Sequence, residues 1–184
     1  MPGSSGFHPL GRRRLALGRF LRFERHYLLD QAGRLMVREV VHHPGAVVIA
    51  PVDRDDVLLL RQHRVAAGGP VLELPAGKRD RPGESPAEVA ARECEEEIGY
   101  RPGRLTLLHQ FYSSPGFTDE IAWLFLAEDL EPVEASPRGP EEEGAELVRV
   151  PVDEALALAR SEPVADAKTL IGLYALNQRA ATGS

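Results

Sequence analysis

Glu93, Glu96 and Glu97 are spaced i, i+3 and i+4, the separation at which side chains on one α-helix share a flank. On the same wheel Glu88 and Glu95 point elsewhere, while Ala87, Ala90, Ala91, Cys94 and Ile98 form one apolar stripe. Like charges at this spacing cost about 0.2–0.5 kcal/mol per pair, so the cluster calls for a positive partner. Arg92 is placed to pair with Glu88 and Glu96, four residues away on either side. For the rest, a hard divalent cation is the natural compensator. Mg2+ or Mn2+ prefers oxygen ligands and completes its shell with water and substrate phosphates. The plainer reading of the same glutamates is a solvated acidic face.

The elements that must position these carboxylates are legible nearby. Ser85-Pro86-Ala87-Glu88 combines an N-cap serine, a proline at the first helical position and a glutamate three residues after the cap. With Gly99 as a stop, this predicts a helix over 86–98. Just upstream, Leu72-Glu73-Leu74-Pro75-Ala76-Gly77 leads a strand into a loop ending in glycine, whose carbonyls offer a further oxygen ligand. Strand-length apolar runs occur at 38–42, 46–50, 57–62, 71–74, 105–112, 121–127 and 147–150. Two further helices are expected over 151–160 and 166–179, the second with Ala167, Leu170, Ile171 and Tyr174 as its apolar stripe. Strands that precede any long helix favour an α+β mixed sheet over a doubly wound parallel one.

Composition narrows the function classes. The 184 residues are 43% hydrophobic and carry a net charge of −6, an ordinary globular balance. No apolar run approaches the roughly 18 residues of a membrane-spanning helix. Residues 1–25 hold six of the 22 Lys+Arg and one of the 28 Asp+Glu, which leaves −11 on the remainder. So acidic a body repels free nucleic acid, and phosphate chemistry on it needs cations as intermediaries. The basic segment reads as a solvated tail, a subunit-contact arm or an Arg-rich transit peptide, the first two being favoured. A single cysteine, Cys94, forms no intramolecular disulfide, so a reducing cytoplasmic setting is expected. Cys94 lies on the apolar stripe and is no nucleophile. The six histidines show no HxxxH-type ligand spacing, and His42 and His43, as strand neighbours, point to opposite faces in structural roles.

Gly77, Glu84 and the run Arg92-Glu93-Cys94-Glu95-Glu96-Glu97-Ile98-Gly99-Tyr100 resemble the Nudix box, G-x5-E-x7-R-E-U-x-E-E-x-G-U with U apolar. Every fixed position is present, with six residues rather than five between Gly77 and Glu84. The resemblance extends to His43-Pro44-Gly45-Ala46-Val47-Val48, Leu60-Arg61-Gln62-His63-Arg64, Glu73-Leu74-Pro75-Ala76-Gly77, Ser114-Pro115-Gly116-Phe117-Thr118-Asp119-Glu120 and Asp166-Ala167-Lys168-Thr169-Leu170. These blocks are similar to those of the ADP-ribose pyrophosphatases, and Pro115, fifteen residues beyond Tyr100, stands where that subfamily has its marker proline.

The resemblance implies a Nudix α/β/α sandwich over 41–184, preceded by a basic arm and small N-terminal β region over 1–40 that forms a dimer contact. It implies Glu93, Glu96, Glu97 and the carbonyl of Ala76 as ligands of Mg2+ or Mn2+, with Arg92 orienting the carboxylates. The base that activates water is implied on the loop before the last strand, where Glu141 and Glu143 are the candidates. Arg64 would meet the phosphates, Arg38 would lie near the adenine, and Gly116 and Glu120 would face the second ribose. The activity so implied is cleavage of ADP-ribose to AMP and ribose 5-phosphate by a cytoplasmic homodimer. Alternatives are a pyrophosphatase for another nucleoside diphosphate sugar or for FAD or NADH, and a non-catalytic nucleotide sensor.

Overall fold

Residues 46–50 are apolar at every position because both faces of their strand are covered. Val47 and Ile49 face one hydrophobic layer together with Leu58, Leu60 and Phe125. Val48 and Ala50 face the other, together with Leu59, Leu72 and Leu124. The period of two along the strand thus sets up three layers before any helix is considered.

The computed structural model describes residues 6–137, 140–163 and 165–182, without the side chains of Pro140 and Glu141. In chain order the elements are β1 (His8–Leu17), β2 (Arg22–Leu29), β3 (Leu35–His42), β4 (Ala46–Asp53), β5 (Asp56–Arg64), β6 (Gly69–Glu73) and β7 (Ala76–Lys78). There follow α1 (Pro86–Ile98), β8 (Tyr100–Tyr112), β9 (Ile121–Pro132), α2 (Pro140–Glu143), β10 (Glu146–Pro151), α3 (Val152–Ser161) and α4 (Ala167–Thr182). The chain divides into a larger unit, Ala46–Phe111 with Ala122–Ser184, and a smaller one, the residues up to Gly45 with Tyr112–Ile121.

The larger unit is a mixed sheet in the order β10-β5-β4-β9-β8, with β6 added to β5 and β7 to β4. Strands β4 and β9 pair in parallel, Ala46 opposite Ala122 through Pro51 opposite Ala127, whereas β10 with β5, β4 with β5, β5 with β6 and β4 with β7 are antiparallel. On one face lies α1, whose Val89, Ala90, Cys94 and Ile98 join the layer of Val47 and Ile49. On the other lie α3 and α4, through Ala155, Leu156, Ala159, Leu173 and Leu176. This is the expected α+β sandwich. The face presented by α4 differs from its predicted stripe: Leu173 and Leu176 are buried, whereas Ile171 and Tyr174 are exposed. Gly172 decides this, since a Cβ there would run into Leu74, and only a bare backbone lets that side of the helix close on the sheet.

The smaller unit is an antiparallel sheet, β1-β2-β3. Residues 8–17 are therefore not a free tail. Glu24 of β2 draws Arg22 to 2.8 Å and Arg12 of β1 to 3.5 Å, so the basic segment has an acidic partner within its own sheet. The smaller unit extends to Gly45. Strand β3 runs on to His42 and carries the 112–121 segment with it, Val41 N–H donating to Phe117 O at 2.8 Å and Asp119 N–H to Val41 O at 3.3 Å. No helix among the described residues is long and apolar enough to cross a membrane.

Candidate active site

On the flank of α1 that carries Glu93, Glu96 and Glu97 the carboxylates are not spread on a wet face: the first two are buried and Glu97 is half-buried. A full capping box fixes the start of the helix, Ser85 Oγ accepting from Glu88 N–H at 3.3 Å and Glu88 accepting from Ser85 N–H at 2.7 Å. Gly99, at φ 71°, ends it. With the apolar stripe docked on the sheet, Glu93 and Glu96 are left 8% and 7% exposed. Burying charge at this level requires compensation.

Arg92 supplies part of it. Its Nη1 donates to Glu93 Oε1 at 2.6 Å and to Glu96 Oε2 at 2.9 Å, while Nε and Nη2 reach Glu84 at 3.3 and 3.2 Å. Glu88, the i−4 partner expected from spacing, is committed to the cap, and Glu84 takes its place. Burial disfavours the charge on Arg92, but its hydrogen bond to Glu84 and the charges of Glu93 and Glu96 outweigh this and hold its pKa above the ordinary range.

Glu97 has no such partner at its head. Ala76 N–H donates to its Oε2 at 3.0 Å. Burial, and then the charge of Glu93, push its pKa up to about 8, against the weaker pull of the Ala76 hydrogen bond and the more distant Arg64. Glu93 is raised as well, by burial in the first place, despite Arg92. Two carboxylates whose charged forms are disfavoured by burial fit a divalent cation, which would repay the desolvation.

The wall opposite α1 is β7, which pairs with β4 in the register Val47 opposite Gly77 and Val48 opposite Ala76. Gly77 thereby shares the face of Val47 and meets Glu93 so closely that a Cβ would fall on the Glu93 carboxyl group. The approach to this wall is tied to α4: Leu74 N–H donates to Thr169 Oγ1 at 2.8 Å, and Thr169 in turn donates to Asp166 at 2.8 Å. Burial of the Asp166 carboxyl opposes its charge, but Lys168 and the Thr169 bonds hold its pKa below the usual carboxylate range.

Arg64 is not a loose surface arginine. Its Nε lies 3.0 Å from both oxygens of Glu73 and its Nη2 lies 2.6 Å from Oε2, a clasp on a carboxylate only 4% exposed. In the β5–β6 ladder Leu60 faces Glu73, so Gln62, Arg64 and Glu73 all lie on the α1 side of the sheet. The acidic loop before β10 contains one helical turn, α2. Half-buried Glu142 raises the pKa of both Glu93 and Glu97 through its charge, whereas Glu143 is exposed. The Glu141 side chain lies outside the described residues.

Arg38, Gly116 and Glu120 belong to the smaller unit. Arg38 is exposed on β3 and donates to Val37 O at 2.8 Å. Gly116 lies in the exposed turn after Ser114, and Glu120 Oε1 is 3.4 Å from His43 Nδ1. Sequence reasoning missed Glu73, Glu142 and the Thr169–Leu74 bond. For Glu73 a signal existed, a lone acid between Leu72 and Leu74 in a run that must be buried.

Residues 41–170 match the NUDIX domain family. An ADP-ribose pyrophosphatase of Bacillus subtilis (strain 168) is 41% identical over 150 residues, 81% of this chain and 80% of that protein. A GDP-mannose pyrophosphatase of Citrobacter koseri is 32% identical over 149 residues, 76% of this chain and 77% of that protein. The crystal structure of an ADP compounds hydrolase superposes with a TM-score of 0.85 at 26% identity, covering 96% of each chain.

Proposed function

The chain belongs to the Nudix family of hydrolases, and from that premise we propose that it cleaves the pyrophosphate of ADP-ribose to AMP and ribose 5-phosphate with Mg2+ or Mn2+. The observation that carries the reading is the gathering of buried Glu93 and Glu96 and half-buried Glu97 on one flank of α1 against β7, with the pKa values of Glu93 and Glu97 raised by desolvation. The 41% identity to a named ADP-ribose pyrophosphatase supports the substrate.

Glu93, Glu96, Glu97 and the carbonyl of Ala76 would hold the ion. When bound, it would neutralise the diphosphate and stabilise charge on the leaving oxygen. Arg92 keeps Glu93 and Glu96 from swinging apart, and the Ala76 amide does the same for Glu97. Arg64, held in place by Glu73, offers a fixed positive charge to the phosphates. Arg38, Gly116 and Glu120 are proposed for the adenine and second ribose. The water-activating base comes from the turn 141–143. Glu142 is added to the candidates here and preferred over Glu143, because its charge is felt at the metal-binding glutamates. Leu10, Leu17, Leu35 and Val37, exposed on the N-terminal sheet, with Phe7 and Phe20 exposed beside it, support a homodimer formed through that sheet. Buried Cys94 is in keeping with a cytoplasmic enzyme.

A second reading, another nucleoside diphosphate sugar as substrate, is favoured by the resemblance to a GDP-mannose pyrophosphatase. The test is a panel of ADP-ribose, GDP-mannose, FAD and NADH with Mg2+, followed by separation of the products. The proposal expects AMP and ribose 5-phosphate, with kcat/KM for ADP-ribose at least tenfold above the others. A preference for GDP-mannose would replace the substrate, and binding without AMP release would make the protein a sensor.

A further inference from the structure

Two of the six histidines, which show no ligand spacing along the chain, converge with Glu24 in the smaller unit. Glu24 and His26 are two apart on β2 and so share a face, and His42 of β3 lies opposite Arg22, which is on that same face. The Nε2 of His42 is 3.2 Å from Glu24 Oε2, and the Nε2 of His26 is 3.5 Å from the same oxygen. All three atoms lie within 4.8 Å of one another. All three are shielded from solvent, and none makes a hydrogen bond of acceptable geometry. Glu24 as a whole is only 5% exposed.

The tautomer of His42 follows from its other nitrogen. Nδ1 lies 2.6 Å from Asp119 Oδ2, and a carboxylate only accepts, so Nδ1 carries the hydrogen. Asp119 is itself anchored, its Oδ1 accepting from His43 N–H at 2.9 Å. The Nε2 of a neutral His42 is then a lone pair aimed at a carboxylate oxygen, with a second imidazole nitrogen beside it. Exposed Arg12 stands 3.5 Å from Glu24 Oε2, but neither imidazole Nε2 has a hydrogen-bond partner, and a cation between them would satisfy all three electron-rich atoms. Their spacing suits a small metal ion: with metal–ligand bonds of about 2.0–2.1 Å, neighbouring ligands of a tetrahedral zinc stand ~3.3–3.4 Å apart, and the two separations given above fall on either side of that value. The arrangement of a carboxylate behind a histidine, and the histidine on the metal, is the usual support of such a site.

We propose that Glu24 Oε2, His26 Nε2 and His42 Nε2 form a metal site for a borderline ion of the Zn2+ class, with Asp119 orienting His42 and water as the fourth ligand. It is separate from the all-oxygen site on α1 and independent of the hydrolase reading. The donor set distinguishes the two: two imidazoles select Zn2+ or Co2+ over Mg2+. The other Glu24 oxygen is already occupied by Arg22 at 2.8 Å, so the carboxylate binds through one oxygen. Arg12, at 3.5 Å from Oε2 and 63% exposed in its side chain, can turn outward to make room. Such an ion would clamp β2 to β3 and, through Asp119, to the 112–121 segment.

The test is a titration of chelator-treated full-length protein with Co2+ in excess Mg2+, read by the visible absorption of four-coordinate Co2+, together with zinc stoichiometry after dialysis. The proposal expects one equivalent, displaced by Zn2+. It also expects at least tenfold weaker binding in His26→Ala and in His42→Ala, and binding weakened about 10–100-fold in Asp119→Asn. Glu97→Gln should leave the band unchanged. Because the wild-type titration needs no variant, misfolding of a variant does not decide the result, and circular dichroism checks each one. The proposal is overturned if the wild type shows no Co2+ band, if the band survives in both histidine variants, or if Glu97→Gln abolishes it. An NMR spectrum showing protons on both nitrogens of His42 in zinc-treated protein would overturn it equally.

Discussion

Gly77 and Glu93 occupy the same small space: the backbone of one is in contact with the carboxyl of the other, and no Cβ fits between them. The glycine of the box is therefore a steric requirement of the glutamate proposed as a metal ligand. Gly77→Ala must push Glu93 aside or lift β7 from α1. Displacements of about 1 Å at a reacting centre cost on the order of 100-fold. We expect a loss of that size in kcat/KM with a native circular dichroism spectrum, and activity within threefold of wild type would refute the relationship.

Glu97 and Glu95 are near neighbours in sequence with opposite expected effects. Glu97 is turned to the Ala76 amide, while Glu95 pairs on the surface with Arg101 at 2.8 Å. Glu97→Gln should abolish turnover at any practical Mg2+ concentration, whereas Glu95→Gln should stay within twofold. Steady-state kinetics on the two proteins separate these outcomes, and equal losses would contradict the helix geometry.

The raised pKa of Glu97 gives the metal-free protein a definite pH dependence. Its folded value of about 8 exceeds the ordinary carboxylate value, so the native state binds the proton more tightly than the unfolded chain. The contribution is present at acid pH and is lost as pH rises toward about 8. In EDTA, the Tm of wild type relative to Glu97→Gln should therefore fall from pH 5 to pH 8, and Mg2+ should remove the fall. A constant difference across that range would show that Glu97 is not desolvated.

Arg92 holds together three carboxylates that would otherwise repel one another. Removing one partner from a buried ion network costs about 3–5 kcal/mol. Arg92→Ala should lower stability toward that range in EDTA, by urea denaturation, and regain part of it in Mg2+. If metal gives no recovery, the glutamates it orients are not the ligands.

The turn 141–143 should supply the base. Single Gln substitutions at Glu141, Glu142 and Glu143 should lower kcat, with Glu142→Gln at least tenfold worse than Glu143→Gln and with little change in the Mg2+ requirement. A larger effect at Glu143 would return the role to the exposed residue.

Much of this protein was determined along the chain. The capping box, the stop at Gly99, the all-apolar strand 46–50 and the i, i+3, i+4 glutamates are local patterns, set by helix and strand periods that operate without distant partners. They were enough to anticipate α1, the layers around β4 and the acidic cluster. What required the tertiary structure was every relationship between segments far apart. The helix wheel gave Arg92 the partner Glu88, and the folding of the residue just before the N-cap substituted Glu84. An apolar stripe on α4 was legible, but its buried side was decided by Gly172 against Leu74. Glu24, His26 and His42 have no spacing that suggests a site, because ligands on neighbouring strands are brought together by hydrogen-bond register, and register depends on how two strands pair and not on either one's sequence.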